Sequence, residues 1–408
     1  MDSSLQTISN VQIRVAGTAI SAVSNTNGEF ELNMFWRPTI VLQFHHLGFK
    51  YATRTLHIDS NQNKITITQH LVQNMVSLEP IAVTAIQKPE TLVGKPHYSI
   101  FDFDFCDHGL ILLTAEKSMR NATLRFSDFS GTVLTELKVP NTAGEALHFF
   151  HDYQGFTELI CKDSVFRIEV YNDEITISGI SKLDFAQYLQ PISDTVNKHL
   201  LWTNKNEAYP AMDYYSLKRG DSVSSLLRKI SNADLLKLYN LEYYYLPSRA
   251  QLEARRIADF YKTDVHIVAA VMSGFTQSMF YESLYAPLIV ANDTICIFDH
   301  YSDYLFHYSK DQKLIDSLKI NYHHPAKWRE WKNKLYYDEA QSRVWAHFSK
   351  DGHTYLKEIN WKSGEIIGTY KLQNHSADKL KIRDGYVYYV YRPFESTQEK
   401  FLYREQLR

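Results

Sequence analysis

The sequence predicts an all-β protein made of a small β-sandwich followed by a six-bladed β-propeller with a helical insertion. Three observations support this fold class: short runs of alternating apolar and polar residues, turn-forming pairs between the runs, and recurrence of the runs in groups of four. Aromatic residues make up 14% of the 408 residues. Such side chains favour pleated, half-buried surfaces, so this share also favours strands.

Residues 1–86 show the pattern of a small sandwich. Val11, Ile13 and Val15 alternate with polar residues, as expected of a strand with one buried face. Asn27-Gly28 follows the next apolar run, and an Asn-Gly pair between strands is a strong hairpin signal because both residues tolerate a positive φ. The further strands are predicted at 22–24, 30–32, 40–44, 65–67 and 81–85. Six or so short strands in this length are typical of a sandwich.

Four motifs in this module follow one another in a characteristic order. They are Val11-x-Ile13-x-Val15-x-Gly17-Thr18, Asn25-x-Asn27-Gly28-x-Phe30-x-Leu32, Leu47-Gly48-Phe49 and Leu78-x-x-Ile81-x-Val83-x-Ala85. This order resembles the carboxypeptidase D regulatory-like domain, a transthyretin-like sandwich common at the N-termini of envelope proteins in Bacteroidota. The resemblance covers about a fifth of the chain. It implies a folding and docking module that carries no catalytic residues.

The N-terminus departs from that family. Its members usually open with a Gly-x-Val-x-Asp strand directly before the stretch that begins here at Asp2-Ser3-Ser4, and this strand is missing. The sequence shows no export signal, and no run of about 18 apolar residues that would predict a membrane span. The missing strand indicates that the sequence starts late, and a late start would also remove an export signal. We therefore expect a protein of the periplasm or outer membrane, and a cytoplasmic location stays open.

Residues 97–408 contain strand groups that recur with the period of propeller blades. Successive groups start about 45–50 residues apart where no insertion intervenes, which is roughly one blade. The groups begin near Tyr98, Leu147, Leu200, Leu288, Leu335 and Leu380. The last group has only three strands, and we expect a segment near 91–97 to complete it because open sheet edges invite aggregation. Six blades are predicted, with five or seven as alternatives.

A helical insertion interrupts the repeats at 231–282. Ser231 or Asn232 is a candidate cap for a first helix, Pro247-Ser248 starts a second, and residues 265–272 form a third apolar stretch. Insertions of this size often serve function. Tyr243, Tyr244 and Tyr245 are therefore candidate contact residues for a protein partner, since tyrosine is favoured at interfaces. The alternative is that the helices merely cover one face of the propeller.

Composition excludes several classes of protein. A net charge of −2 shows no polyanion-binding footprint, so nucleic acid is not an expected partner. Cys106, Cys161 and Cys296 lie far apart without metal-type spacing, and we interpret them as small core residues. No HExxH, GxSxG or GxGxxG pattern occurs. The sequence therefore predicts no cofactor, no metal site and no catalytic residues.

Two groups of polar residues remain as candidate binding sites. Asp102 and Asp104 alternate with phenylalanines and could approach the central channel to bind a cation or a sugar, or could be solvated positions. Asp299 and His300 lie in a dense polar segment that could hold a cation, although a turn at the end of a strand is favoured. The histidine pairs, including His323-His324, are interpreted as surface or turn residues because adjacent strand positions face opposite sides.

These observations predict a non-enzymatic binding or scaffold protein of the bacterial cell envelope. The sandwich would dock the protein, and the propeller face with its helical insertion would recognise a protein partner. The prediction depends partly on analogy at the level of the fold. The alternatives are a propeller hydrolase or lyase acting on glycans or peptides, with its site in the central channel, and a carbohydrate-binding propeller.

Overall fold

The computed structural model describes residues 6–18, 20–46, 49–62, 64–72, 88–393 and 399–408. Strands account for 46% of the residues and helices for 14%, so the predicted all-β class is confirmed. The chain divides into two compact units, Met1–Ile86 and Gln87–Arg408. None of the described helices is both long and apolar enough to span a lipid bilayer.

The described residues of the smaller unit form one antiparallel sheet with the strands β1 (Gln12–Val15), β2 (Ser21–Val23), β3 (Thr39–His45) and β4 (Ala52–His57). The order of the strands in this sheet is β2-β1-β3-β4. Ile13 of β1 pairs with Phe44 of β3, and both side chains are fully buried in the core of this unit. The period-two pattern of β1 therefore buries one face of the sheet, as predicted.

The turn at Asn25–Gly28 forms as predicted, but the strand set differs. The Oδ1 atom of Asn25 accepts hydrogen bonds from the backbone nitrogens of Asn27 and Glu29, at 3.0 and 2.9 Å. The predicted strands at 30–32 and 65–67 are not strands; Phe30, Leu32 and Ile67 instead pack against the core, because alternation reports burial and not pairing. The predicted strand at 81–85 lies outside the described residues. Strand β4 was not predicted, since none of its residues is fully buried.

The described part of the larger unit forms six four-stranded antiparallel sheets. Sheet one contains β6 (Ser99–Cys106), β7 (Gly109–Ala115), β8 (Thr123–Asp128) and β9 (Val133–Lys138). Sheet two contains β10 (Ala146–His151), β11 (Thr157–Cys161), β12 (Val165–Tyr171) and β13 (Glu174–Ile180). Sheet three contains β14 (Ile192–Val196), β15 (His199–Thr203), β16 (Ala211–Lys218) and β17 (Ser225–Ser231). The sequence did not reveal β14, which has only one fully buried residue.

The second half of the unit repeats this arrangement. Sheet four contains β18 (Leu288–Ala291), β19 (Thr294–Asp299), β20 (Tyr304–Tyr308) and β21 (Leu314–Lys319). Sheet five contains β22 (Trp331–Asp338), β23 (Arg343–Lys350), β24 (His353–Ile359) and β25 (Ile366–His375). Sheet six contains β26 (Asp378–Arg383), β27 (Tyr386–Tyr391), β28 (Phe401–Gln406) and β5 (Glu90–Val93).

Strand β5 completes the last sheet with residues from the start of the unit. Thr91 pairs with Tyr403 of β28, and Val93 pairs with Leu402. The Arg404 side chain donates hydrogen bonds to the Glu90 carboxylate at 2.7 and 3.0 Å. The predicted closing segment is thus confirmed, although the pairing residues lie at 90–93.

Two-residue turns join many neighbouring strands. Asn292 and Asp293 have φ values of 48° and 62°, and Asn172 and Asp173 have the same pair of values. Asn and Asp tolerate this left-handed region, which a tight hairpin requires at both central positions. The sequence therefore places these turns directly. Several neighbouring pairs of sheets share a buried core: Leu124 of sheet one and Leu159 of sheet two, for example, lie in the same cluster.

The helical insertion lies between β17 and β18. It contains α2 (Ala233–Tyr245), α3 (Ser248–Tyr261), α4 (Val265–Met272) and a 3-10 turn at Phe275–Gln277. The Oδ1 atom of Asn232 caps α2 by accepting from the backbone nitrogen of Leu235 at 3.0 Å, and Asp264 caps α4 in the same way. The remaining helical segments are α1 (Lys182–Asp184), a π-helical turn (Phe185–Leu189) and 3-10 turns at Met119–Asn121, Asn141–Ala143 and Trp328–Glu330.

The antiparallel order gives each sheet two distinct ends. The start of the first strand, the loop between the second and third strands, and the link to the next sheet all lie at one end, which we call the link face. The helical insertion is the link between sheets three and four. It therefore belongs to the link face.

Candidate functional site

Charged side chains from the first strands of four sheets come together in the larger unit. We call them the inner-strand cluster: Asp104 of β6, His148 and His151 of β10, Lys332 and Lys334 of β22, and Lys379 and Lys381 of β26. The Nζ atom of Lys381 lies 2.6 Å from Asp104 Oδ1, which joins sheets six and one. The first strands thus face a shared central space, as in a propeller.

Asp104 organises one end of the cluster. Its carboxylate is buried and also accepts a hydrogen bond from Thr157 Oγ1 at 2.8 Å, and it pairs with His151 Nδ1 at 3.0 Å. Burial raises the pKa of Asp104, but the Lys381 ammonium and the His151 ring outweigh that effect and hold the pKa below its ordinary value. Conversely, the hydrogen bond to Asp104 raises the pKa of His151. Asp104 therefore stays ionised.

Asp102, in contrast, accepts hydrogen bonds from backbone nitrogens. Its side chain is buried, with Oδ1 accepting from the backbone nitrogen of Phe103 at 3.0 Å and Oδ2 accepting from that of Phe149 at 2.9 Å. This carboxylate joins sheet one to sheet two. Neither Asp102 nor Asp104 is a solvated position, because both are less than a tenth exposed.

Lysines give the other end of the cluster a positive charge. Burial lowers the pKa of Lys334, and Lys381, Lys205 and Lys379 lower it further. Lys205 belongs to the loop after β15, so lysines of sheets three, five and six are close enough to interact. Among the described residues, no carboxylate pairs with Lys332, Lys334 or Lys379. The described part of the chain thus leaves these three ammonium groups without an ion pair.

An irregularity in β22 brings two of these lysines forward. Trp331 pairs with Phe348 and Leu335 pairs with Ala346, so three residues of β22 oppose one of β23. The bulge contains Lys332, Asn333 and Lys334, and Asn333 has a φ of 47°. All three residues have solvent-exposed surface, although the surrounding protein partly desolvates the Lys334 ammonium group. Bulges often re-aim side chains next to functional sites.

A cavity of about 400 Å³ opens beside these lysines on the link face. It is lined by Lys332, Lys334, His347, Ser349, Gly352, Thr354, Ser376 and Ala377. Burial lowers the pKa of His347 to about 4, and Lys332 and Lys334 contribute to this shift. At neutral pH the cavity thus offers ammonium groups, hydroxyls and a neutral imidazole. This set of groups suits an anion that also carries hydroxyl groups.

Asp299 and His300 are not brought to the inner-strand cluster. The Asp299 carboxylate accepts hydrogen bonds from Ser302 Oγ at 2.6 Å and from the backbone nitrogens of Tyr301 and Ser302, so it stabilises the turn after β19. His300 Nδ1 donates to the carbonyl oxygen of Tyr285, and its Nε2 accepts from the Tyr322 hydroxyl. Burial lowers the pKa of His300 to about 3. With both ring nitrogens occupied, His300 has no free donor atom for a ligand.

The three consecutive tyrosines of α2 have different environments. Tyr243 is buried, and its hydroxyl accepts a hydrogen bond from Arg255 Nε at 2.6 Å. Tyr244 and Tyr245 are 68% and 75% exposed. Tyr243 therefore supports the insertion from within, while its two neighbours are available for contact.

The sequence interpretation missed the lysines, although a signal was present. Lys332-Asn333-Lys334 and Lys379-Leu380-Lys381 place the same Lys-x-Lys pattern at the start of the first strand in sheets five and six. Corresponding positions of first strands meet around a propeller axis, so a search for repeated charges at these positions would have found them.

Solved structures similar to this chain are propeller-type proteins. A luciferin-regenerating enzyme is 10% identical, with a TM-score of 0.37, and the match covers 78% of this chain and 95% of that one. Virginiamycin B lyase from Staphylococcus aureus is 10% identical with a TM-score of 0.34, covering 78% and 99%. Glutaminyl cyclase from Myxococcus xanthus is 10% identical with a TM-score of 0.26, covering 78% and 94%. These likenesses concern the fold alone.

Sequence comparison adds one family. No curated protein matches the chain. Residues 1–83 match the family model of the CarboxypepD_reg-like domain, so the resemblance inferred from the four N-terminal motifs is confirmed for this part of the chain.

Proposed function

We propose that the larger unit is a binding module that holds an acidic saccharide at the lysine end of the inner-strand cluster. The observation that carries this proposal is the proximity of lysines from three sheets, which together with burial lowers the pKa of Lys334. Among the described residues, the ammonium groups of Lys332, Lys334 and Lys379 form no ion pair with a carboxylate. Like charges held together destabilise the free protein, and an anionic ligand relieves that repulsion. The site therefore favours a carboxylate over a neutral ligand.

The lining of the cavity supports a sugar as the carrier of that carboxylate. Ser349, Thr354 and Ser376 contribute hydroxyl groups, and His347 contributes a neutral ring. These groups can each donate and accept hydrogen bonds with sugar hydroxyls. A volume of about 400 Å³ lies in the range of small-molecule pockets. One or two sugar rings of an acidic glycan match this combination of size and polarity.

Isothermal titration calorimetry with trigalacturonate, and with neutral galactotriose as the comparison ligand, tests the proposal. We expect trigalacturonate to bind more tightly, with an affinity that falls as salt increases. Lys334→Ala and Lys379→Ala should each weaken binding roughly tenfold, which corresponds to a loss of about 1.4 kcal/mol in binding free energy. Lys313→Ala, in the exposed turn before β21, is the matched control and should bind normally. Equal affinity for the neutral sugar, or no effect of either cluster variant, would reject the proposal.

A second candidate function is a lyase or hydrolase acting on such a glycan. The specific observation is the lowered pKa of Lys334, because a lysine accepts a proton only in its neutral form. The ultraviolet absorbance of an unsaturated product would report elimination from polygalacturonate. Lys334→Arg keeps the positive charge but has no amine that can act as a base, so it should abolish turnover and retain binding. If the wild-type protein binds the glycan without turning it over, the enzyme is rejected and the binding module is retained.

A scaffold role for the helical insertion is a third proposal, supported by its exposed apolar surface. The exposed side chains include Tyr244, Tyr245, Leu252, Phe260, Tyr261, Met272, Met279 and Phe280. Clusters of this kind mark interaction sites. Crosslinking in the native cell should capture a partner that the double variant Tyr244→Ala/Tyr245→Ala loses. Retention of that partner would count against the insertion as its docking site.

We also propose that the six sheets are the six blades of a single ring and that the protein is exported to the cell envelope. The first statement is supported by the pairing of β5 with β28 and by the cores that sheets one and two, three and four, four and five, five and six, and six and one share. The family of the N-terminal domain supports the second. A crystal structure and cell fractionation test them in turn.

A further inference from the structure

Asp303, His323 and His324 bring three metal-ligating atoms together on the link face of sheet four. Asp303 ends the loop between β19 and β20, and the two histidines lie in the link that follows β21. Asp303 Oδ1 lies 3.0 Å from His323 Nε2 and 2.7 Å from His324 Nε2. All three donor atoms lie within 4.8 Å of one another. The sequence interpretation dismissed this histidine pair because it assumed strand geometry, and the pair lies in a link.

The backbone fixes this convergence. The Asp303 carbonyl oxygen accepts a hydrogen bond from the backbone nitrogen of Ile320 at 2.9 Å, which holds the link against the loop. The backbone nitrogen of His324 donates to the Asn321 carbonyl at 3.1 Å, so the histidines follow a turn. Asp303 itself has a φ of 62°, a conformation that aspartate tolerates. The three donors are therefore positioned by main-chain contacts.

One histidine is anchored in the protein and the other faces solvent. The side chain of His323 is only 5% exposed, whereas those of His324 and Asp303 are 60% and 39% exposed. His300 packs on His323 with ring centroids 4.9 Å apart. A buried imidazole of this kind aims Nε2 at Asp303 with little freedom to turn away.

We propose that Asp303, His323 and His324 bind a divalent transition-metal ion such as Zn²⁺, with the remaining coordination position open to solvent. This site is independent of the acidic-saccharide site. Two imidazoles and a carboxylate are a ligand set that zinc and its neighbours use, whereas Ca²⁺ and Mg²⁺ take oxygen ligands. With bonds of about 2.0–2.2 Å, tetrahedral ligand atoms lie roughly 3.3 Å apart. The distances of 3.0 and 2.7 Å from Asp303 Oδ1 to the two histidine nitrogens therefore need to open by only about 0.3 and 0.6 Å.

The geometry also predicts what the ion does. Three protein ligands leave a fourth position, and a site that keeps one position for water or a ligand differs from a closed structural zinc site. The exposed sides of His324 and Asp303 place that position toward solvent on the link face. An anionic or imidazole-bearing group from solution can therefore complete the coordination.

Calorimetric titration of the metal-free full chain with Zn²⁺ tests the site. We expect one ion per chain and an increase in Tm on binding. His324→Ala and Asp303→Asn should each weaken binding at least about 100-fold, since even the loss of supporting partners of metal ligands costs 10–100-fold. Both positions are partly exposed, and asparagine also tolerates a positive φ, so these variants should fold; His323→Ala is the more disruptive third variant. His108→Ala removes an exposed turn histidine elsewhere and should bind Zn²⁺ normally.

Cobalt provides a second readout. Co²⁺ at a site with two imidazoles and one carboxylate should give visible absorption bands that Zn²⁺ displaces and that the Lys334→Ala variant retains. Loss of these bands in His324→Ala, with normal trigalacturonate binding, supports the proposal. Unchanged Zn²⁺ binding in both His324→Ala and Asp303→Asn, or a loss of equal size in His108→Ala, would overturn it.

Discussion

Lys381 and Asp104 lie 277 positions apart in the sequence, yet their side chains form an ion pair of 2.6 Å. Lys381 belongs to the first strand of sheet six and Asp104 to the first strand of sheet one. The same carboxylate also binds His151 and Thr157 of sheet two. One buried aspartate therefore connects three consecutive sheets.

Removing this aspartate should destabilise the larger unit. Asp104→Ala leaves Lys381 without its partner in a largely buried position, and the loss of one member of a buried ion pair costs about 3 kcal/mol. Urea denaturation measures the change in the free energy of unfolding. Asp107→Ala, at an exposed turn next to the same strand, should change it by less than about 0.5 kcal/mol. Similar values for the two variants would show that Asp104 does not connect the sheets.

The raised pKa of His151 predicts a pH dependence with a definite sign. The hydrogen bond to Asp104 is its main cause. A raised folded-state pKa means that this interaction stabilises the protein fully below the unfolded value of about 6.5 and is lost as the pH rises through the folded value. Titration of the His151 ring by NMR should show a pKa above 6.5, and Asp104→Asn should lower it. A pKa that is the same in both proteins would contradict this assignment.

His347 should behave in the opposite way. Burial, followed by Lys332 and Lys334, lowers its pKa to about 4. The stability that the neutral His347 ring contributes is therefore fully present above about pH 6.5, and it is lost as the pH falls toward 4. In NMR titrations, Lys334→Ala should raise the pKa of His347, and Lys313→Ala should leave it unchanged. A rise in the pKa of His347 in Lys313→Ala, or the absence of a rise in Lys334→Ala, would contradict the assignment of the shift to the neighbouring lysines.

Gly131 should be intolerant of any side chain because of its contact with the closing strand. It has a φ of 91°, and a Cβ atom there would lie 1.9 Å from the carbonyl oxygen of Leu92 in β5. Gly155 has a similar φ of 88° but has open space around it. Gly155→Ala should therefore cost only the backbone strain, about 1–2 kcal/mol, and Gly131→Ala clearly more.

Thermal unfolding of the two glycine variants separates the cost of backbone strain from the cost of the steric clash with Leu92. The expected order of Tm is wild type, then Gly155→Ala, then Gly131→Ala. Equal losses in the two variants would mean that the turn can move away from β5 without cost.

Local features of the fold could be predicted from the sequence because they depend on neighbouring residues. Asn292-Asp293 predicts its own hairpin, and Asn232 predicts its own helix cap, since each supplies the required backbone conformation or acceptor. Strand β14 could not be found in this way. It pairs along its length with β15, but its own residues are mostly half-buried and give no clear alternation.

The candidate sites were harder to predict because they depend on contacts between distant segments. Asp102 and Asp104 share one strand and one alternation pattern, yet one binds backbone nitrogens and the other pairs with a lysine from the last sheet. His323 and His324 point to the same carboxylate only because the link turns at Asn321. Spacing along the chain carries no information about such turns. The roles of these residues were therefore predicted from residue type alone.

The pairing of β5 with β28 has a consequence for biosynthesis. The partner of Glu90–Val93 is Phe401–Gln406, so the first strand of the unit leaves the ribosome long before the strand that it joins. Until the C-terminal segment has emerged, both of these edges are open, and the nascent chain has to keep them apart from other chains. Completion of sheet six is thus a late step, which follows the synthesis of Phe401–Gln406.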